Sequence, residues 1–328
     1  VLSLALNVAA RRRWLRPFRL RDSVGTIAPE CVVIWNLRFP VFGPDVLINE
    51  DSHVKVTKLA PAMGAEITGI NLASSDFSDN IIGEIRAVWL EHNVIVLRDQ
   101  NLTPQQQLKL ARAFGEPAIY PFLEGVEDIP EITAVLKREH ETVNFGGVWH
   151  TDTSYQDKPP MATMLQAIEL PPIGGDTLFA NQELAYDQLS DGLKATLADL
   201  RVVCAANKAK VAATRTARIE ESGKGIDVNE LAAIHPVVRT HPETGRKSLY
   251  LSPGHATSFE GWTEEESAGL LDYLFQHQIA PEFQCRLAWG VGDIAIWDNR
   301  STLHYPLNDY HGHRRLLHRI TLKGDKPV

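Results

Sequence analysis

Cysteine is scarce in this chain of 328 residues: Cys31, Cys204 and Cys285 are the only three, far apart and odd in number. No CxxC pair occurs, so neither a disulfide framework nor a cysteine-based zinc site is supported. A reducing compartment is expected instead. No apolar run approaches the roughly 18 residues that a membrane-spanning helix needs. Positive charge is in deficit, with 33 Lys plus Arg against 41 Asp plus Glu and a formal net charge of −8. A chain this acidic is a poor general binder of nucleic acid or of an anionic membrane surface. GxGxxG and P-loop patterns are also missing, which argues against nucleotide binding.

What the sequence does contain is an ordinary globular balance, with 44% hydrophobic and 23% charged residues. That is enough apolar surface to exclude disorder over most of the chain. Residues 1–50 stand apart, because they lack periodicity and carry Pro17, Pro29, Pro40 and Pro44. Within them an apolar stretch, Val1 to Ala10, precedes Arg11, Arg12, Arg13, Arg16, Arg19 and Arg21, with no acid before Asp22. This composition resembles a transit peptide; it fits an upstream extension without function as well. The expected organisation is a poorly defined N-terminal extension, 1–50, and one folded domain, 51–328, without internal repeats. The cysteines point to the cytoplasm, and the arginine-rich start keeps mitochondrial import as the second reading.

Local signals in the folded domain alternate between strand and helix. Val54 to Leu59 alternates polar and apolar residues, as a strand does. Ser78 is a candidate N-cap for a helix running to about His92. Thr103-Pro104-Gln105-Gln106 combines a cap, a first-turn proline and a capping box, with Leu110 and Phe114 on one face and Gly115 as the stop. Further helices are predicted from Gln182 to Leu200 and from Thr263 onward. In the latter, Glu266 completes a second capping box, and Leu270, Leu271, Leu274 and Phe275 form the buried stripe. Strand signals lie at Val94–Leu97, Met164–Ala167, Val237–Arg239, Leu249–Leu251, Ile294–Trp297 and Leu316–Leu322. Pro242-Glu243-Thr244-Gly245 reads as a hairpin turn. Many short strands with a few flanking helices predict a mainly β fold, a sandwich or jelly roll.

Most of the twelve histidines have an ordinary explanation. His53, His92, His140 and His277 sit in polar or helix-end settings, and His235 and His241 flank prolines near strand ends. His150 and Asp152 form a His-Thr-Asp triplet. On a strand, residues two apart face the same way, so an imidazole and a carboxylate could share one metal. By itself the triplet also fits a surface pair. His304 lies 152 residues beyond Asp152, so only the fold could add it. Two histidines and one carboxylate leave three positions open on an octahedral iron(II), and a zinc site of the same composition is known. Arg315 follows His304 by 11 residues, and Arg319 comes four later. Strand periodicity puts Arg315, Leu317 and Arg319 on one face. Two inward arginines call for anions, and guanidinium suits carboxylate or sulfonate. A solvated basic strand edge would fit the same spacing.

Taken together, Trp149-His-Thr-Asp-Thr, Gly174-Gly-Asp-Thr-Leu, His235-Pro-Val-Val-Arg-Thr-His-Pro-Glu-Thr-Gly and Asp293-Ile-Ala-Ile-Trp-Asp-Asn-Arg, followed by His304-Tyr305 through Asp309-Tyr310 to Arg315, His318-Arg319 and Gly324-Asp325, resemble one family. It is that of the iron(II)- and 2-oxoglutarate-dependent dioxygenases of the taurine dioxygenase and 2,4-dichlorophenoxyacetate dioxygenase type. The resemblance spans roughly residues 53–328. It implies a double-stranded β-helix core, the jelly roll of cupin-like proteins, with flanking helices. It implies His150, Asp152 and His304 as iron(II) ligands, with 2-oxoglutarate and O2 as cosubstrates. Thr177 and Arg315 match positions that hold the distal carboxylate of 2-oxoglutarate, and Arg319 matches the one that holds the acidic head of the substrate. His311, His313 and His318 match no ligand position.

The implied reaction is hydroxylation of a small anionic organic substrate, with succinate and carbon dioxide as coproducts. A sulfonate such as taurine, releasing sulfite, is the first expectation; an alkyl sulfate or an aryloxy-carboxylate is the alternative. Two departures bear on that choice. Tyr120 stands where the taurine enzyme has a sulfonate-holding histidine, so its hydroxyl is a candidate donor. Near Gly146 the taurine enzyme has an asparagine that contacts the amine end of taurine, a bond that glycine has no side chain to supply. The charged loop 206–232, with Lys208, Lys210, Arg215, Arg218, Glu220 and Glu221, matches a family lid and also fits a mobile surface loop. The resemblance makes a homo-oligomer an expectation as well. Two competing readings remain: a zinc hydrolase built on the same three ligands, and a non-catalytic binding protein on this fold.

Overall fold

The computed structural model describes residues 54–74, 78–120, 123–208 and 231–328. The expectations for residues 1–50 and for most of loop 206–232 lie outside those residues. The first described strands, β1 (Lys55–Lys58) and β2 (Ala65–Thr68), pair antiparallel. The chain then crosses through α1 (Asp79–His92) to β3 (Val94–Leu97), which runs parallel to β2. A parallel pair needs such a crossover. Ser78 caps α1, and Asn93, in the left-handed region, ends it.

After α2 (Pro104–Phe114) come β4 (Pro117–Ala118), β5 (Gly125–Val126), β6 (Ile129–Lys137), β7 (Ala162–Glu169) and β8 (Thr177–Asn181). The helices α3 (Gln182–Asp187) and α4 (Asp191–Leu197) lead to β9 (Arg201–Ala205), β10 (Ala232–Pro236), β11 (Val238–Thr240), β12 (Lys247–Leu249) and β13 (Ala256–Phe259). The last elements are α5 (Glu264–His277), β14 (Gln284–Leu287), β15 (Ile294–Asp298), β16 (Thr302–Pro306) and β17 (Arg315–Leu322).

A nine-stranded sheet runs β1-β2-β3-β15-β7-β17-β6-β5, with β4 paired to β17, and a three-stranded sheet runs β14-β8-β16. Together they form the double-stranded β-helix, or jelly roll. Alternation along the central strands shows how the layers are held. In β15, Ile294 and Ile296 join the core under α1 and α2, while Ala295 and Trp297 join the core shared with β8 and β14. In β3, Ile95 and Leu97 take the first side, and Val94 and Val96 take the second. A strand buried on both faces reads as an unbroken apolar run, which is how both appear in sequence. A third cluster packs α3, α4 and α5 against β9 and β13.

Both capping boxes are present, Thr103 with Gln106 and Thr263 with Glu266. The turn at 242–245 joins β11 to β12 as an antiparallel pair. One expectation is corrected: the helix predicted from Gln182 to Leu200 is two short helices. Leu189 turns inward at 5% exposure, and Ser190 caps the second helix by accepting from the Leu193 amide. The interior cap and the buried leucine redirect the chain where apolar periodicity alone would carry it on.

Candidate active site

His304 lies on β16, held in the smaller sheet by its pairing with Phe179 on β8. His150 is locked beside it across an isolated bridge: His150 N donates to His304 O at 3.0 Å, and His304 N donates to His150 O at 2.8 Å. The two imidazole centroids are 4.1 Å apart. The triplet does not continue as a strand, so the expected alternation is not what unites its members. Asp152 opens a turn in which Thr153 has φ +42°, and its carboxylate faces both rings. Asp152 Oδ1 is then 3.8 Å from His150 Nε2 and 4.0 Å from His304 Nε2. All three candidate ligand atoms lie within 4.8 Å of one another, on buried residues.

Neighbouring hydrogen bonds aim these groups. The His150 Nδ1–H faces the Val148 carbonyl at 2.7 Å, which leaves Nε2 with a lone pair for a metal. Thr163 Oγ1 donates to Asp152 Oδ2 at 2.6 Å, Asn299 Nδ2 donates to Thr163 Oγ1, and Trp297 Nε1 donates to Asn299 Oδ1. This chain leaves Oδ1 facing the imidazoles. Burial drives the His304 pKa down to about 3, with the His150 charge adding to the effect and Asp152 opposing it. The imidazole is therefore neutral, as a ligand must be. Burial pushes the Asp152 pKa up, but His304, Arg319, His150 and the Thr163 hydrogen bond outweigh it and hold the carboxyl below its ordinary value.

Gly146 has a structural reason. Its φ is +75°, and a Cβ there would meet His150 Cε1 at 2.9 Å. Only glycine lets the backbone lie this close to the ring. Gly175, also at φ +75°, comes nearly as close to the Arg315 side chain, where a Cβ would meet Cδ at 3.1 Å.

Arg315 and Arg319 project from β17 into the cavity as the strand period requires, each 5% exposed. In both, Nε and Nη2 are buried without a hydrogen-bond partner among the described residues. Buried guanidinium nitrogens are normally paired, so these edges could each accept an anion; Arg315 also hydrogen-bonds Tyr310. Arg315 lies near Trp289, whose Nε1 donates to Thr177 Oγ1 at 3.0 Å. Thr177, predicted on the same subsite, lines the same cavity. Arg319 stands 4.2 Å over the Tyr120 ring and 5.8 Å from that of Phe145. Tyr120 thus meets Arg319 with its face.

Other histidines go elsewhere. His235 Nε2 faces the Ser154 carbonyl, and His241 pairs with Asp298. His318, its pKa lowered by burial, sits on the opposite face of β17. Residues that carry no local sequence signal are also here: His255 bridges Ser154 and Ser252 edge-on to Tyr155, and Phe145, Trp289, Thr163 and Lys137 surround the site.

Against known families, residues 55–321 match the taurine catabolism dioxygenase TauD, TfdA family. The chain belongs to this family. It is 34% identical to an alkylsulfatase of Acinetobacter baylyi, over 84% of this chain and 87% of that protein. It is 33% identical to an alpha-ketoglutarate-dependent sulfate ester dioxygenase of Pseudomonas putida, over 84% of this chain and 91% of that one. Among solved structures, a taurine dioxygenase from Burkholderia xenovorans superposes with a TM-score of 0.70 at 35% identity, covering 84% of this chain and 91% of that one. This TauD/TfdA-family enzyme is a dioxygenase that uses iron(II), 2-oxoglutarate and O2. The convergent two-histidine, one-carboxylate donor set fits the metal, and the arginine nitrogens without partners fit an anionic cosubstrate and substrate.

Proposed function

We propose that His150, Asp152 and His304 hold the iron(II), that Arg315 and Thr177 take the distal carboxylate of 2-oxoglutarate, and that Arg319 takes the anionic head of the substrate. When bound, the iron supplies the oxygen-activating chemistry that couples decarboxylation of 2-oxoglutarate to substrate hydroxylation. The protein's own groups do the rest. Asp152 is kept in place by Thr163, the two arginines fix the orientation of two anions on either side of Leu317, and Leu165, Trp297 and Phe145 wall the cavity against water. Exclusion of water protects reactive species and strengthens the charge pairs. Each charge-assisted hydrogen bond contributes about 1.5–3 kcal/mol.

The observation that carries this reading is the pair of buried guanidinium edges without partners. It also bears on the substrate. Asp152 is the one carboxylate among the described residues lining this cavity or the adjoining one, so an ammonium group would find no second carboxylate among them. We favour a sulfate ester or sulfonate whose organic part is uncharged, a reading supported by the alkylsulfatase and the sulfate ester dioxygenase among the relatives. Tyr120 shapes the head-group subsite through its ring under Arg319. A zinc hydrolase would need a general base beside the metal-bound water, and among the described residues the cavity offers no carboxylate besides the candidate ligand Asp152. Family membership supports a homo-oligomer, and the free, buried Cys204 and Cys285 support a cytoplasmic setting. No helix among the described residues is long and apolar enough to cross a membrane.

The test is succinate release from 2-oxoglutarate by iron(II)-loaded protein with alkyl sulfates, alkyl sulfonates, taurine and aryloxyacetates. Alkyl sulfates or sulfonates should stimulate turnover strongly. Hydroxylation of the carbon bearing the head group leaves an aldehyde and releases sulfate from an ester or sulfite from a sulfonate, which names the head group. Stimulation by taurine or aryloxyacetate alone would overturn the substrate reading. Absence of succinate with iron bound would overturn the site reading.

A further inference from the structure

A third cation faces the cavity. Lys137 ends β6, is 3% exposed, and its Nζ has no hydrogen-bond partner among the described residues. Its Cα partner across the antiparallel ladder is Arg315. Directly opposed residues in such a ladder have Cβ atoms about 4.5–5.5 Å apart on one face. Both side chains line the cavity and converge on one ring: Lys137 Nζ is 4.5 Å from the Tyr310 centroid, and Arg315 Cζ is 5.8 Å from it. Arg319 lies four residues along β17 from Arg315, across from Thr133 on β6, at the other end of this face. The charge of Lys137 therefore belongs to the Arg315 end.

A buried ammonium without a counter-ion is costly. The aromatic face of Tyr310 offsets part of that cost, and an arriving anion would offset more. The strand would be better filled by an apolar residue, as at Val135 two positions earlier, if packing were the sole requirement. A carboxylate offers about four lone-pair sites, more than Arg315 and Thr177 together need occupy. We propose that Lys137 is a second cation for the distal carboxylate of 2-oxoglutarate, sharing it with Arg315 and making the site selective for a dicarboxylic 2-oxo acid. This rests on the reading that the distal carboxylate lies at Arg315.

Calorimetric titration of manganese-loaded protein with 2-oxoglutarate and with 2-oxovalerate, which has the same five-carbon chain without the distal carboxylate, separates the possibilities. Lys137→Met should weaken 2-oxoglutarate binding about tenfold or more and leave 2-oxovalerate binding unchanged. Lys137→Gln, which keeps a polar head, provides the same comparison if the methionine variant does not fold. Unchanged 2-oxoglutarate affinity, or equal weakening for both acids, overturns the proposal, because a merely structural lysine does not distinguish them. Arg315→Met tests the underlying reading. If it weakens 2-oxoglutarate selectively while the Lys137 variants do not, only the role of Lys137 falls. If it has no effect, the placement of the carboxylate falls with it.

Discussion

Arg319 is a charged residue whose surroundings are mostly aromatic. Its guanidinium stacks on Tyr120 and approaches Phe145, and two of its nitrogens have no partner. Removing it leaves a buried substrate anion unpaired, at about 3–5 kcal/mol, or roughly two to four orders of magnitude in kcat/KM. Arg319→Met keeps most of the side-chain volume. It should raise the KM for substrate strongly while substrate-independent 2-oxoglutarate turnover persists. Parallel loss of both activities, measured as succinate release, would refute the division between Arg315 and Arg319. Other residues at this scale were silent in sequence. Gly146 looks like a missing contact until its closeness to the His150 ring is seen, and Lys137 looks like any strand-end lysine.

At the scale of elements, local hydrogen bonding decided most boundaries. The α2 capping box satisfies amides that have no partner within the helix: Gln106 N donates to Thr103 Oγ1, and Thr103 N donates to Gln106 Oε1. Thr103→Ala should cost about 0.5–2 kcal/mol, read as a lower denaturant midpoint with an unchanged slope. Because α2 packs outside the site, substrate KM should stay as it is. Where sequence and element disagreed, a local capping signal or a turn overrode periodicity. The break between α3 and α4 is one instance, and the turn that follows His150 where a strand was expected is another.

Across the whole molecule, one buried network ties distant segments together. Asp298, at the end of β15, accepts from Arg300 Nε and Nη2 and faces His241 Nε2 at 3.0 Å. Arg300 Nη1 reaches Glu243 in the β11–β12 turn, and Glu243 also pairs with Arg86 of α1. Burial pushes the Asp298 pKa up, but Arg300 and His241 outweigh it and hold the carboxyl far below its ordinary value. Such a group contributes stability that is complete above the unfolded value, about 3.9, and that is lost as pH falls towards the folded one, where the unfolded chain binds the proton first. Acidification below about pH 4 should therefore lower the denaturant midpoint. Asp298→Asn should flatten that dependence and cost about 3–5 kcal/mol at neutral pH, because Arg300 loses its buried partner. An unaltered acid profile in the variant would show that this pair does not control it.

The sequence by itself determined what short-range physics encodes. Caps, turns and alternation placed most of the helices and fewer than half of the strands, the twofold period put Arg315 and Arg319 on one face, and ordered motifs pointed to candidate ligand residues through family resemblance. Tertiary structure decided what pairs across long separations. It brought His304 to His150 through two backbone hydrogen bonds, placed the Asp152 carboxylate beside both rings, and set Lys137 opposite Arg315. The reason is that side-chain types and local periods are written along the chain. Register between distant strands is not, because it emerges only when the sheets close around a shared core.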